Sequence, residues 1–373
     1  MALDSDRIHA LHAAKLRALS RAVLDVELAD VAGTDDGALA VAEGPNSSVV
    51  CLAQERPERA LGGALALALR SRRAAVHVFA DECSDVLARR AMCFLAPPII
   101  WQIDGASATV AAPALRPVEP APPRVPELVA VLSAAGVDVA VEHGVITGEV
   151  EGLEVARIVA DAVADAALVA ELQESSDAGA ESDEPPAVSR EQGSAWKIEV
   201  GVGAHDREAF SMLHAHEPTP EAVARVAGVV RAHRAPGASP HPLNRLASAR
   251  WLRALLLRQP ELVGARHLGP ASPPVPRGGP KDPSPAVAYG VRADGSRVVV
   301  VASVGIDVNL VPFGADARAF LDPDADLVLA LPERDAHDVI SAMAALLERP
   351  AEIAPIDNGW RTGAAGSRAA ERS

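Results

Sequence analysis

The sequence has few aromatic residues and almost no lysine. Phe, Trp and Tyr make up 3% of its 373 residues, and arginine outnumbers lysine by 32 to 3. Without many large rings, the interior must be built mainly from Ala, Val and Leu. Hydrophobic residues make up 49% of the chain, which is enough for two or three domains that each bury a core. The bias toward Arg and Ala is typical of a GC-rich bacterial genome, so part of the arginine content reflects codon usage.

Cysteine and long apolar runs are also scarce. Cys51, Cys83 and Cys93 lie in apolar surroundings without CxxC spacing, which argues against a structural zinc site and favours buried free thiols. No apolar run approaches the roughly 18 residues of a membrane span. The N-terminal stretch reads as an amphipathic helix capped near Ser5, because it mixes charges among its apolar residues. We therefore predict a soluble, cytoplasmic protein.

Several motifs of common enzyme classes are missing. The chain has no GxSxG, GxGxxG or GxxxxGK[ST] sequence, which argues against esterase, Rossmann dinucleotide and P-loop chemistry. The string GGALALAL after Leu61 does not follow a strand in the Rossmann order. We interpret it as a place where a helix packs closely against its neighbour.

Charge is divided unevenly along the chain. Residues 225–281 contain nine Arg, Lys281 and one acid, Glu261, so this segment carries +9 in a chain of net charge −15. The remainder carries −24. Such a split predicts one face that meets an anion while the rest of the protein keeps it in solution.

Proline-rich and acidic segments divide the sequence. We predict an N-terminal α/β unit with a leading helix, a Pro-rich linker, a central α/β region, a Pro/Gly loop, a C-terminal α/β unit and a disordered tail. Their expected bounds are 1–110, 111–127, 128–267, 268–285, 286–357 and 358–373. Within the central region, residues 173–195 are acidic, small and polar, and we expect a disordered insertion there.

The first and last units show the same order of predicted elements. Each reads as two strands joined by a turn, a helix, a strand, a helix and a final strand; the last strands end at Asp104 and Asp357. We interpret this as a ββαβαβ unit used twice, with a partial third copy in the middle region. Helices alternating with short β-branched strands predict an α/β fold with mixed, partly parallel sheets.

This order of elements resembles the restriction-endonuclease-like, or PD-(D/E)XK, nuclease fold. In that family one carboxylate ends the first core strand, an acid-x-Lys motif lies on the next, and the carboxylates hold Mg²⁺, which activates water. The middle region is closest to this pattern. The resemblance implies Glu151 or Glu154 as the first carboxylate and Glu199 as the second, with Glu154 and Glu199 as ligands of Mg²⁺ or Mn²⁺.

The middle region departs from the family at the lysine. Gly201 occupies the position two residues after Glu199, but Lys197 lies two residues before it, on the same face of the strand, and is a candidate substitute. The corresponding strands of the outer units carry no acid-x-Lys motif, so those units would be degenerate scaffold. The alternative for the three glutamates is that they are solvated or ion-paired acids.

Two further groups are candidates for chemistry. His205 and Asp206 begin a predicted helix, where Asp206 is either the N-cap or part of a catalytic group with His205 as proton carrier or metal ligand. On a helix starting near Leu243, the side chains of Arg245, Arg250 and Arg253 would share one face. That face, with Lys281 on a flexible basic loop, would either bind phosphate or pair with carboxylates.

Asp316 and Arg318 lie in the last unit, two residues apart on a predicted helix. They cannot pair there as helical neighbours, so each needs a partner elsewhere.

The strings GLEVARI, EVGVGAHDREAF, HPLNRLASARWLR and SVGIDVNLVPF resemble a family of uncharacterised proteins from high-GC bacteria, which implies no activity. The sequence thus predicts a protein of nuclease-like units that binds nucleic acid or another phosphate-rich ligand. Two alternatives stay open. One is a non-catalytic scaffold or interaction protein, and the other is an enzyme that acts on a small anionic substrate.

Overall fold

The computed structural model describes residues 2–44, 47–161, 195–213 and 219–362. Its contacts divide the chain into two compact units. The first comprises residues 1–118, 252–275 and 284–373, and the second comprises residues 119–251 and 276–283. The predicted insertion at 173–195 lies outside the described residues except for Ala195, and so does the predicted tail from residue 363 onward.

Helices and strands alternate along much of the described chain. In chain order the helices are α1 (Ala2–Leu19), α2 (Ala60–Ser71), α3 (Ser84–Ala91), α4 (Pro126–Ala134), α5 (Ala204–Leu213), α6 (Thr219–Arg234), α7 (Ser248–Arg258), α8 (Leu310–Leu321) and α9 (Asp338–Ala344). The strands are β1 (Val31–Thr34), β2 (Gly37–Ala42), β3 (Ser48–Ala53), β4 (Ala75–Ala80), β5 (Ile99–Asp104), β6 (Ser107–Val110), β7 (Asp138–Glu142), β8 (Val145–Val150), β9 (Leu153–Ala160), β10 (Trp196–Val200), β11 (Ala265–Ala271), β12 (Ala286–Arg292), β13 (Arg297–Ala302), β14 (Asp326–Pro332) and β15 (Glu352–Ile356).

The first unit contains two mixed sheets, as an α/β fold requires. One has the order β1-β2-β3-β4-β5-β6 and the other the order β11-β12-β13-β14-β15. In the first sheet β3, β4 and β5 run parallel, and in the second β13, β14 and β15 do, while the remaining pairs are antiparallel. The parallel pairs are joined by α2 and α3 in one half and by α8 and α9 in the other. Mixed, partly parallel sheets are therefore confirmed.

One hydrophobic core joins the two halves of this unit. It includes Val49 and Cys51 of the first sheet, Val299 and Val301 of the second, and apolar residues of α2, α3, α8 and α9. Helix α8 is buried at nearly every position from Leu310 to Phe320. A helix that is buried nearly all round needs neighbours on every side, and the shared core places α8 between the two sheets. The first and last units predicted from the sequence thus share one interior.

A reciprocal backbone contact joins the segments that follow α3 and α9. Phe94 and Leu347 form an antiparallel bridge. The Leu95 N–H donates to the Leu346 carbonyl at 2.9 Å, and the Glu348 N–H donates to the Cys93 carbonyl at 2.9 Å. Each segment comes after the last helix of its half and before a parallel strand. The contact therefore has the self-complementary form of a two-fold interface.

The second unit is built on one antiparallel sheet of order β10-β9-β8-β7. Its core contains Leu132 of α4, Leu153 and Val155 of β9, and Val223 and Val230 of α6. Strands β7, β8 and β9 follow one another as an antiparallel meander. Every strand pair described in this unit is antiparallel, so the parallel crossover of the nuclease comparison is not among them.

Two local predictions were wrong. The stretch 268–285 was expected to hold neither helix nor strand, yet its first residues belong to β11. This strand lies at the edge of its sheet, where Pro270 is tolerated. The helix expected from Leu243 begins instead at Ser248, after a separate 3₁₀ turn from Pro242 to Arg245 and a left-handed residue at Ala247.

Within the residues that the structure describes, no helix has the length and apolar character needed to cross a membrane.

The predicted burial of the three thiols holds for Cys51, is partial for Cys93 and is wrong for Cys83, which is exposed. Burial raises the thiol pKa of Cys51 to about 12 and that of Cys93 to about 11. Partial burial is the largest cause that raises the pKa of Cys83, and the charges of Glu58 and nearby acids add to it.

Because the thiolate is the nucleophile, iodoacetamide at pH 8 should label Cys83 first. Mass spectrometry after short exposures measures this, and Cys83→Ser should abolish the fast site. Rapid labelling of Cys51 would contradict the fold.

Two neighbouring glycines in α2 should respond oppositely to alanine. A Cβ on Gly62 would lie 2.5 Å from the Val308 carbonyl oxygen, whereas a Cβ on Gly63 would meet no atom within 4 Å. We expect Gly62→Ala to destabilise by about 1–3 kcal/mol through overpacking. Gly63→Ala should stabilise by about 0.5–1 kcal/mol through helix propensity. Urea unfolding of both variants measures this, and equal effects would contradict the close packing at Gly62.

Candidate functional site

The predicted carboxylates of the second unit are engaged with arginines. Glu154 on β9 is buried, with 6% of its surface exposed. Its Oε1 accepts from Arg157 Nε at 2.8 Å and from Arg207 Nη1 at 2.9 Å, and its Oε2 accepts from Arg157 Nη2 at 3.0 Å. The hydrogen bond with Glu154 raises the pKa of Arg157. To bind a metal, Glu154 would have to leave two guanidinium groups.

Glu199 lies in the same cluster. Its Oε2 is 3.6 Å from Arg207 Nε, and its side chain is about a third exposed. Arg207 therefore brings Glu154 and Glu199 together as its own ion-pair partners. Lys197, on the same strand, contacts Asp161 at 3.3 Å through Nζ. Lys197 therefore forms an ion pair with Asp161.

The remaining predicted catalytic residues do not extend this cluster into a metal site. Glu151 occupies the β8–β9 turn with φ of 48°, and its carbonyl oxygen accepts from Arg234. Asp206 is exposed in the first turn of α5. The side chain of His205 lies outside the described residues. Among the described residues, no three His, Cys, Asp or Glu side chains are grouped so as to hold a metal ion.

The expected face of three arginines is not formed, because Arg245 lies in the 3₁₀ turn before α7, and Arg250 and Arg253 within α7 are buried. Arg250 is buried, and its Nη1 is 3.0 Å from Glu149 Oε1. Arg253 is 1% exposed, and its Nη1 donates to the Val287 carbonyl. Arg245 and Lys281 are exposed. Two of the four predicted phosphate ligands therefore stabilise the interior.

The first unit contains an apolar groove of about 1180 Å³, which we call the α2–α9 groove. Strands β1 and β2 and helices α2 and α9 form its walls, with Arg17, Asp30, Glu43, Arg70 and Asp338 at its margin. The apolar lining includes Val31, Leu39, Val41, Gly63, Ala66, Leu67, Val308, Val339 and Ala342. An adjoining cavity of about 320 Å³ shares Leu39, Gly63 and Val308 and adds the ion pair of Arg59 with Asp307.

The opposite side of the same helical layer, between α3 and α8, is filled. Asp316 on α8 is 1% exposed, with its Oδ1 at 2.8 Å from Arg89 Nε and its Oδ2 at 3.0 Å from Arg90 Nε. The Arg90 guanidinium lies 5.7 Å from the centre of the Phe313 ring. The prediction that Asp316 and Arg318 find separate partners is confirmed, since Arg318 donates to the Arg349 carbonyl.

Residue size explains why one side is open and the other filled. Helices α2 and α8 both have 12 residues, and aligning their first residues places Gly63 opposite Phe313 and Ala66 opposite Asp316. The Asp-Val pairs at Asp85 and Asp338 begin α3 and α9 and align Ala342 with Arg89. At the α2–α9 groove, small residues therefore replace a ring, a carboxylate and a guanidinium.

Sequence reasoning missed this groove. The GGALALAL string was interpreted as close helix packing, and Gly62 confirms that, since it approaches the Val308 carbonyl. Gly63, one residue later, lines the groove instead. A residue-by-residue alignment of α2 with α8 shows small residues in α2 where α8 has large ones. It does not show that the space between α2 and α9 stays open.

A scan against protein-family models found no match, and neither did a search of curated proteins or a search of solved structures. The groove's own chemistry is therefore the guide to its use. Its volume exceeds that of most small-molecule pockets, about 300–1,000 Å³. Its apolar floor and charged margin suit a ligand with an apolar body and polar ends.

Removing the buried carboxylate should test whether the Glu154 cluster is structural. Glu154→Gln leaves Arg157 and Arg207 without their shared anion, so we expect a loss of about 3 kcal/mol in the free energy of unfolding. Glu199→Gln, at a partly exposed position, should cost less than about 1 kcal/mol. Urea unfolding followed by circular dichroism gives both values. A stable Glu154→Gln protein would contradict the structural role.

Proposed function

We propose that this protein is a non-catalytic binding protein and that the α2–α9 groove is its ligand site. The observation that carries the proposal is the difference between the two sides of one helical layer. Between α3 and α8 the space is filled by Phe313, Arg89 and a buried ion pair. Between α2 and α9 the equivalent positions are Gly and Ala, and about 1180 Å³ stays open.

The state of the candidate catalytic residues supports the same proposal. Glu154 and Glu199 contact Arg207, and Lys197 contacts Asp161. A nuclease needs carboxylate oxygens free to hold Mg²⁺ and a lysine free to position water. Ion pairing gives each of these groups a role in stabilising the second unit.

We further propose that the two halves of the first unit are diverged copies of one module. Each half has the order helix, three strands, helix, strand, helix, strand. The copies meet through equivalent residues at the bridge of Phe94 with Leu347. Under this proposal, the surface between α3 and α8 kept its large residues for stability, and the surface between α2 and α9 acquired small residues for binding.

Binding of a phosphate-rich ligand is the second proposal. It is favoured by the exposure of Arg245 and Lys281 in the second unit. The Ala247 N–H donates to the Pro280 carbonyl at 2.9 Å, which holds the segments of these two residues together. Two cations make a smaller site than the predicted arginine face, and nucleic-acid binding through them should weaken steeply with salt.

A groove-filling variant tests the main proposal. Nile red, a neutral apolar dye, should gain fluorescence on binding the wild-type protein. Gly63→Leu places a side chain into open space, and we expect dye affinity to fall about fivefold, roughly 1 kcal/mol. Gly228→Leu on α6 is the matched control, since a Cβ there also meets no atom within 4 Å. Equal loss in both variants, or none in Gly63→Leu, would overturn the proposal.

A cleavage assay separates binding from catalysis. We expect fluorescent DNA and RNA to stay intact with the protein and Mg²⁺ or Mn²⁺, because Glu154 and Glu199 are held by arginines. Gel electrophoresis after long incubation measures this. Metal-dependent cleavage that disappears in Glu199→Ala would establish the nuclease hypothesis in place of a non-catalytic protein.

A further inference from the structure

We infer that the α2–α9 groove binds an extended peptide segment of a partner protein, one that carries a large apolar side chain and an acidic side chain. This inference rests on the proposed function, since it names the ligand class of the same site. It comes from what covers the equivalent α3–α8 side within this chain.

On that side, the covering segment is Ala111–Arg116, which is neither helix nor strand. The Ala114 N–H donates to the Asp85 carbonyl at 2.9 Å, and Arg89 Nη1 donates to the Leu115 carbonyl at 3.4 Å. Arg116 Nη2 donates to the Leu321 carbonyl at 3.2 Å, and its guanidinium lies 5.7 Å from the centre of the Phe320 ring. An extended segment thus crosses from α3 to α8.

The positions that hold this segment have their equivalents in the groove. Asp85 aligns with Asp338, Arg89 with Ala342 and Phe320 with Arg70. All three equivalents line the α2–α9 groove. The α2–α9 groove therefore corresponds in position to the surface of α3 and α8 that Ala111–Arg116 covers.

One wall of the groove also favours an extended chain. Val31 and Ala32 line it, and they belong to β1, the edge strand of the first sheet in the described order. A strand at a sheet edge presents backbone N–H and C=O groups along one side. Extended peptides use such groups for main-chain hydrogen bonds.

The exchanged residues specify the side chains of the peptide. Gly63 and Ala66 stand where Phe313 and Asp316 fill the other side, so the peptide should supply an apolar side chain there. Arg70 stands where Phe320 meets Arg116, so the peptide should present a carboxylate in place of a cation. Arg17 and Arg70 are exposed, and neither forms an ion pair with another residue that the structure describes.

A phage-displayed dodecapeptide library, counter-selected on the Gly63→Leu protein, provides the test. We expect enriched peptides to contain an apolar and an acidic residue, and Gly228→Leu to bind them like the wild type. For a synthetic peptide from the selection, Arg70→Phe should weaken binding about tenfold by fluorescence anisotropy. The same peptide with Arg in place of its acid should bind Arg70→Phe better than wild type, because the ring restores the cation–π partner.

The outcomes separate this inference from the proposed function. If Nile red binds the groove but no peptide distinguishes wild type from Gly63→Leu, the peptide inference fails and the binding groove stands. If Nile red also ignores Gly63→Leu, the proposed function fails as well. Peptides whose affinity does not change in Arg70→Phe would overturn the acidic specificity. Matching thermal unfolding of the Arg70→Phe protein and wild type shows that the exposed substitution leaves the fold intact.

Discussion

The first unit depends on two central helices, α2 and α8, that are built mainly from apolar residues and need covering on more than one side. Helix α8 buries nearly all of its residues, and α2 is a run of Ala, Gly and Leu with no charge before Arg70. Neither helix could be covered by a single sheet, since a sheet shields one face only. Two sheets with their helices facing each other cover both helices. As a consequence, the N-terminal and C-terminal parts of the chain must fold together.

The shared layer of helices has two corresponding surfaces, one between α3 and α8 and one between α2 and α9, and their residues differ. On one, Asp316 lies between Arg89 and Arg90 with almost no exposure. Removing any one of these three residues would leave a buried charge without its partner, which is strongly destabilising. On the other, Gly63, Ala66 and Ala342 leave a groove. This difference between the two surfaces is the observation on which the proposed ligand site rests.

The second unit shows how arginine is used in a chain with few aromatic residues. Arg157 and Arg207 hold Glu154, Arg250 pairs with Glu149, and Arg234 stacks 4.5 Å from the Trp251 ring. Guanidinium groups supply planar contact area and several donors at once. Of the ten basic residues in the segment 225–281, Arg234, Arg250 and Arg253 are buried, Arg277 is half-buried and the other six are exposed.

Much of the fold was predictable from the sequence. The predicted order of two strands, helix, strand, helix and strand is observed from β2 to β5 and from β12 to β15, because the signals for short strands and helices are local. Gly62 was foreseen as a packing glycine, and Asp316 as a residue that needs a distant partner. The start of α7 was not predicted. The residue before it has a left-handed backbone, but it is Ala247 and not the glycine from which such a position is normally predicted.

The sequence by itself determined the α/β class, the order of elements from β2 to β5 and from β12 to β15, and the residue types available for chemistry. Only the tertiary structure decided which of those residues are free to act. Glu154 and Arg253 carry charges that suit a nuclease or a phosphate site, but contacts with distant residues bury them. Gly63 and Ala342 carry no chemistry, yet they open the groove because α2 and α9 meet. Partners far apart in the chain set burial and open space, and a local pattern does not contain them.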